Sequence, residues 1–218
     1  CVILLSMGLF VRRNNDSESQ PLYNTVHDRV VLIVGLGNIG KEYVGTRHNI
    51  GFACLENFAE QHSFPAWIEK RDLRCQITER VEGSTKVILL KPTTYMNESG
   101  QAVMSVQRYF KLANTDTVVV HDELDIDFGQ IRARVGGGSA GNNGIKSLIQ
   151  HCGADFKRIR IGVRNELLEK MDSADFVLAK FNKEEQASLP ELMREVSALL
   201  SEYTATHELP HDTRNFLL

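Results

Sequence analysis

The chain has 218 residues, is 42% hydrophobic and 24% charged, and carries a formal net charge of −3. That balance suits one globular domain with a full core and excludes a generally cationic nucleic-acid coat, so any RNA contact must come from a local basic patch. The cysteines (Cys1, Cys54, Cys75 and Cys152) are scattered without a C-x-x-C pair, which argues against a zinc ribbon or disulfide framework and for a reducing compartment.

No apolar run approaches the length of a membrane span, so no membrane partner is expected. Residues 1–28 read as a disordered or targeting extension. Their apolar stretch precedes Arg12 and Arg13, the reverse of a secretory signal, and MGLFVR lacks the Ser/Thr of a myristoylation motif. Such an extension fits a cytoplasmic or mitochondrial protein.

A single domain is expected over 29–205, followed by a loose tail over 206–218. Val30–Val34 reads as a buried strand and Ile50–His62 as a helix. Arg74–Arg80 and Lys86–Leu90 read as strands around the turn EGS. Ser99 is placed to cap a helix running to about Leu112. Val118–Val120 predicts a short strand ending in His121-Asp122, and Gln130–Val135 another, followed by a glycine-rich loop and a helix over Gly144–His151. Arg158–Val163 alternates as a strand, and Phe176–Phe181 reads as a short edge strand. Glu184–Tyr203 is an amphipathic helix with Pro190 near its first turn. The alternation predicts a three-layer α/β domain whose twisted, mixed, mostly parallel sheet is flanked by helices.

The stretch VVLIVGLGNIG carries Gly35, Gly37 and Gly40 in the spacing G-x-G-x-x-G, the pattern of a dinucleotide loop. Two requirements of that loop fail. Gly45, Thr46, His48 and Asn49 interrupt any helix after Gly40, and neither following strand ends in an acid able to hold a ribose. No nucleotide cofactor is expected. The glycines remain suited to a tight turn at a strand end.

Polar side chains instead gather where strands end. Asn38 follows the first strand, with His48 a short loop away. Met96 and Asn97 precede the Ser99 helix, His121 and Asp122 close a central strand, and Ser139, Asn142 and Asn143 precede the next helix. Each has an ordinary explanation as a cap or turn residue. Their convergence at the carboxyl edge of the sheet, where α/β proteins bind ligands, marks a candidate site.

These residues carry a resemblance. GLGNIGKEYVGTRHNIGF, KPTTYMNESG, HDELD, GGGSAGNNG and the basic strand RIRIGV resemble the bacterial-type peptidyl-tRNA hydrolase family in order and spacing, over about two thirds of the chain from Val31 to Phe181. The resemblance implies hydrolysis of the ester joining a nascent peptide to tRNA, which recycles the tRNA, without metal or cofactor and typically by a monomer. It implies that His48 activates the attacking water and that Asp122 orients His48. Asn38, Asn97 and Asn143 match the family's substrate-positioning amides, and Tyr43 and Met96 match residues that line its cleft. The expected partner is peptidyl-tRNA: the acceptor stem, the 3′ end and the peptide.

The chemistry is consistent with those residues. An aminoacyl ester is a reactive carbonyl, and neutral imidazole is well poised to take a proton near pH 7. Asparagine amides donate and accept, so they can grip a peptide backbone whatever its side chains. Arg132 and Arg134 share one face of their strand, as do Arg158 and Arg160. The resemblance assigns Arg134 and Arg160 to the 5′ phosphate region of the acceptor stem, and Lys146 is a further candidate phosphate contact.

Two rivals remain in view. Gly137–Gly141 satisfies G-x-S-x-G, so that Ser139 with His48 and Asp122 could be written as a triad, but the helix should begin well after Ser139 and leaves no sharp elbow. A non-catalytic RNA-binding role, as organelle splicing partners of this superfamily have, is the second. The sequence departs from the family pattern at Ile39, where proline is usual, and at Asn142, where histidine is usual. The second change bears on a hydrogen bond near the peptide path.

Overall fold

An apolar run without polar alternates is a strand covered on both faces. Val31 and Ile33 pack into one core and Leu32 and Val34 into another, on opposite sides of the pleat. A computed structural model describes residues 29–217 and makes this run β1 (Arg29–Gly35). The extension over 1–28 lies outside the described residues.

β1 pairs in parallel with β4 (Thr85–Pro92) on one side and β5 (Thr117–Asp127) on the other. β5 pairs in parallel with β7 (Lys157–Arg164). β2 (Ile68–Lys70) and β3 (Cys75–Glu82) extend the β4 side, and β6 (Gln130–Val135) and β8 (Asp212–Asn215) the β7 side, by antiparallel pairs. The result is one eight-stranded mixed sheet, ordered β2-β3-β4-β1-β5-β7-β6-β8, with its parallel pairing in the centre.

Helices α1 (Ile50–Gln61) and α5 (Lys183–Thr206) cover one face, burying Leu55, Phe58, Val196 and Leu200. Helices α2 (Ser99–Phe110) and α3 (Asn143–Cys152) cover part of the other, burying Val103, Val106, Ile145 and Leu148. The expected three-layer α/β architecture with a mixed sheet is therefore observed, but the sheet is not mostly parallel: among the described residues three strand pairings are parallel and four antiparallel, because antiparallel strands extend both edges. Because α1 leaves β1 on one face and α2 enters β5 on the other, the chain reverses its winding between β1 and β5. A crevice opens at the carboxyl ends of strands flanking such a switch point.

Several local expectations are corrected. The strand expected to stop at Val120 continues to Asp127, because β7 keeps pairing with it after β1 has left at the Gly35–Val120 pair. His121 and Asp122 thus lie inside a strand. Ser99 begins α2 but does not cap it: a 3₁₀ turn over Met96–Glu98 leads directly into the helix, and the buried Ser99 Oγ has no partner among the described residues. Phe176–Phe181 is not a strand. Asp172 accepts a 2.8 Å bond from the Ala174 N–H and starts the short helix α4 (Ser173–Leu178), leaving only a single bridge from Lys180 to Thr46. Pro190 sits within α5, whose start is fixed by a reciprocal capping box between Asn182 and Glu185.

The tail is not loose. β8 covers the edge of β6, and Leu209 and Phe216 join the core, Phe216 meeting Phe128 edge to face at 5.4 Å.

Candidate active site at the carboxyl ends of β1 and β5

The chain after β1 does not start a helix. It makes separate 3₁₀ turns over Lys41–Tyr43 and Arg47–Asn49 before α1. The glycines serve this path. A Cβ on Gly35 would lie 2.5 Å from the Gly51 carbonyl oxygen, so the loop and the start of α1 touch backbone to backbone only because that position is glycine. Gly40, at φ 131°, turns the chain through a conformation that L side chains rarely adopt.

This packing fixes Asn38. The Asn49 side chain accepts from the Asn38 N–H at 2.8 Å and donates to the Asn38 carbonyl at 2.9 Å, closing a two-point clamp on its backbone. The Asn38 side-chain oxygen accepts from the Met96 N–H at 3.2 Å. An amide that accepts with its oxygen turns its NH₂ the other way, so Asn38 presents a donor to the crevice.

His48 comes from the second 3₁₀ turn. Its Nδ1 lies 2.9 Å from Asp122 Oδ2; the Asp122 side chain is 2% exposed and that of His48 11%. Burial is the largest influence on both groups and disfavours both charges. The Asp122 charge and hydrogen bond outweigh it at His48, raising the imidazole above its usual value. The His48 charge and hydrogen bond outweigh it at Asp122, keeping the carboxyl below its usual range. An ionised carboxylate only accepts, so Nδ1 carries the proton and Nε2 has the free lone pair.

The crevice has a volume of about 640 Å³. His48, Asp122, Asn38, Met96, Asn97 and Asn143 all line it. The crossing of α2 and α3 brings Asn97 and Asn143 there: Gly100 donates its N–H to Ser147 Oγ at 3.0 Å, and a Cβ on Gly144 would lie 2.6 Å from Met96 Sδ. Both asparagines are exposed. Tyr43 is not part of the lining. Its 3₁₀ turn leaves it half-buried outside the crevice, and the exposed Tyr95 lines it instead. Ser139 is also outside the lining, and α3 begins only at Asn143, so the nucleophile elbow is absent.

The arginines divide. Arg132 pairs across the strands with Arg160 and Arg134 with Arg158, on the sheet face beside α3. Arg158 turns inward, is 2% exposed, and donates to the Gly138 and Gly137 carbonyls at 2.6 Å each, holding the glycine loop. Arg160 is largely buried and donates to Glu123 Oε2 at 2.9 Å, so an inner carboxylate already balances its charge. Arg134 is half-buried, with one hydrogen bond to the Ala133 carbonyl, and Lys146 is exposed on α3.

Three features escaped the reading of the sequence. The Asn49 clamp needs the fold to be seen, since an asparagine beside a histidine is unremarkable. Helix α4, whose Val177 and Leu178 form an apolar wall of the crevice, had a detectable signal in the DSAD start at Asp172, with its capping side chain and acidic first turn. Its position rests on Arg47, which donates to the Lys180 carbonyl at 3.0 Å, pairs with Glu185 at 2.7 Å and lies over the Phe176 ring at 4.4 Å. The third is the partner of Asn142, a residue the sequence singles out: its NH₂ reaches Asp122 Oδ1 at 3.1 Å and the Asp122 carbonyl at 3.2 Å.

Among the described residues no cluster of His, Cys, Asp or Glu is placed to hold a metal ion, and no helix is long and apolar enough to cross a membrane. What the arrangement offers is a base held by a buried carboxylate at the foot of a crevice rimmed with amides, a combination suited to directing water at a carbonyl.

Residues 32–216 match the family model described as peptidyl-tRNA hydrolase. The chain is 46% identical over 170 residues to a peptidyl-tRNA hydrolase of Ligilactobacillus salivarius, covering 77% of this chain and 90% of that protein. It is 47% identical over 166 residues to one of Paracoccus denitrificans, covering 76% and 69% respectively. Among solved structures, the peptidyl-tRNA hydrolase of Acinetobacter baumannii superposes with a TM-score of 0.70 at 32% identity, over 81% of this chain and 91% of that one. Agreement of this extent in sequence and in fold places the chain in the peptidyl-tRNA hydrolase family.

Proposed function

We propose that this chain hydrolyses peptidyl-tRNA with His48 as general base. The observation that carries the reading is the 2.9 Å bond from His48 to the buried Asp122, which leaves Nε2 facing the crevice. Nε2 takes a proton from water and the resulting hydroxide adds to the ester carbonyl. The tetrahedral intermediate collapses by breaking the bond to the ribose oxygen, which recovers the proton from the imidazolium. Asp122 holds the tautomer and stabilises the imidazolium while it exists.

The Asn38 NH₂, with Asn97 and Asn143, supplies donors for the peptide carbonyls and the oxyanion; one well-placed donor lowers such a barrier by about 3 kcal/mol. Met96 and the apolar side of α4 accommodate the peptide side chains. Arg134 and Lys146 contact phosphates of the acceptor stem, and Arg160 contributes through the part of its guanidinium not engaged by Glu123. Phosphate contacts add affinity without reading sequence, which suits an enzyme acting on many tRNAs. All of these residues belong to one chain, so the reading requires no second subunit.

The test is peptide release from N-blocked aminoacyl-tRNA, with unblocked aminoacyl-tRNA as control. The blocked substrate is expected to be cleaved and the unblocked one spared, and His48→Ala should abolish release while retaining tRNA binding. Tight tRNA binding by the wild-type chain without ester cleavage would overturn the reading in favour of a non-catalytic RNA-binding role.

A further inference from the structure

Asp122 has two carboxylate oxygens, and His48 uses one. We propose that Asn142 is a positioning residue for the reaction: it occupies Asp122 Oδ1 and so fixes the carboxylate plane that presents Oδ2 to His48. The inference rests on the reading of His48 as the base.

The orientation of the Asn142 amide follows from α3. The Ile145 N–H belongs to the first turn of that helix and has no partner within it. It donates to Asn142 Oδ1 at 3.1 Å. Only the oxygen of an amide can accept, so the NH₂ faces the opposite way, and there it meets Asp122 Oδ1 at 3.1 Å and the Asp122 carbonyl at 3.2 Å. The backbone is anchored on both sides, since the Asn142 N–H donates to the Ser139 carbonyl at 2.9 Å and its carbonyl accepts from the Lys146 N–H at 2.9 Å. The donor is thus set by a helix start and the loop before it.

Torsion about the last bond of an aspartate side chain is soft and roughly two-fold. Held only by His48, the carboxylate could rock and carry the imidazole with it. A second donor on the other oxygen removes that freedom. Asparagine also keeps its donors at every pH, so this support does not titrate with the base it serves.

The variants Asn142→Ser, Asn142→Asp and Asn142→His separate this role from capping. Serine and aspartate are both good N-caps and keep the Ile145 N–H satisfied. Serine cannot reach Asp122, and aspartate sets a second carboxylate against it. Histidine can accept from Ile145 with one ring nitrogen and donate to Asp122 with the other.

For Asn142→Ser, kcat should fall roughly tenfold with KM within about twofold, as expected for an interaction that helps only the chemical step. The hydrogen-bonded Nδ1–H signal of His48 should broaden in NMR spectra. Asn142→Asp should move the acid limb of kcat/KM, and the NMR titration of His48, to higher pH by about one unit, because added negative charge favours imidazolium. Asn142→His should recover kcat to within roughly threefold of wild type.

Wild-type kcat in the Ser and Asp variants, with an unchanged His48 signal and titration, would overturn the proposal and leave Asn142 as a cap. The NMR measurements need no turnover. A wild-type chain that binds tRNA without cleaving it would therefore sink the assignment of His48 while Asn142 is still judged on the His48 spectrum.

Discussion

His48 and His121 both bond to Asp122, and the two imidazoles are driven in opposite directions. His48 donates from Nδ1 to the carboxylate at 2.9 Å, and the neighbouring charge raises it above its usual value despite burial. His121 donates from Nδ1 to the Asp122 backbone carbonyl at 2.7 Å and is fully buried. Burial pushes it down to about 4, and Arg158 and Arg160 add to the fall, outweighing the Asp122 charge and hydrogen bond. The pleat of β5 produces the contrast by sending Asp122 to one face and His121 and Glu123 to the other. On one face the Asp122 carboxylate bonds an imidazole that opens onto the crevice; on the other, His121 is sealed from it, while Glu123 reaches the crevice lining and pairs with Arg160. Proximity to Asp122 therefore does not by itself open a histidine to the crevice. What distinguishes His48 is an ionic partner on one nitrogen and access on the other.

The most severe way to break that contrast is to remove the charge and keep the shape. Asp122→Asn can donate to His48 Nδ1 and favour the wrong tautomer, so kcat should fall by about 10⁴-fold, the scale seen when a buried triad aspartate is amidated. Without the carboxylate, burial alone governs His48, and the acid limb of any remaining kcat/KM should move to lower pH. A variant with the wild-type acid limb would show that some other group is the base.

His121 tests the other side. Its folded value of about 4 lies below the ordinary 6.5, so the unfolded chain binds more protons between those values and stability falls as pH drops from 6.5 towards 4. For His121→Leu that component should vanish. The pH dependence of urea unfolding between pH 7 and 4.5 should become shallower by roughly 2 kcal/mol, while kcat stays within about threefold of wild type. The Asp122 carbonyl keeps the Asn142 NH₂ as a partner, so no buried acceptor is orphaned. A large loss of kcat would mean that the two histidines are not as separate as their bonding implies.

The contrast also marks what could be read without coordinates. The buried strands were legible because their apolar runs have no polar alternates, and the site lay where their ends would gather. For HD at 121–122 the resemblance selects Asp122, whereas spacing alone does not choose between the two, because strand parity has to be counted from a core that only the fold defines. Val118–Val120 looked short because HDELD is polar. The strand continues because Arg160 neutralises Glu123 and β7 supplies the backbone partners. The motif alone puts Tyr43 in the cleft, whereas the 3₁₀ turn over Lys41–Tyr43 leaves it outside the crevice lining. The sequence predicts a loose tail over 206–218, yet Leu209 and Phe216 suffice to tie it down once β6 offers a free edge.

The arginines extend the comparison to affinity, where the expected effects are smallest. Among the described residues Arg134 has only a carbonyl acceptor, so its charge is available to a phosphate. Arg160 already faces Glu123, whose carboxyl burial pushes upward while the guanidinium charge and hydrogen bond pull it back. Removing Arg134 should weaken tRNA binding at low salt by severalfold and reduce the slope of log K against log salt by about one. Removing Arg160 should change the slope by less, because the charge lost to phosphate was partly cancelled from within, and the Glu123 carboxyl left behind can take up a proton. The double substitution Arg160→Met with Glu123→Gln should then bind about as well as Arg160→Met alone at neutral pH. If instead Arg160 gives the larger change in slope, the phosphates are read from the inner side of this arginine patch, and Glu123 does not cancel the Arg160 charge as their bond implies.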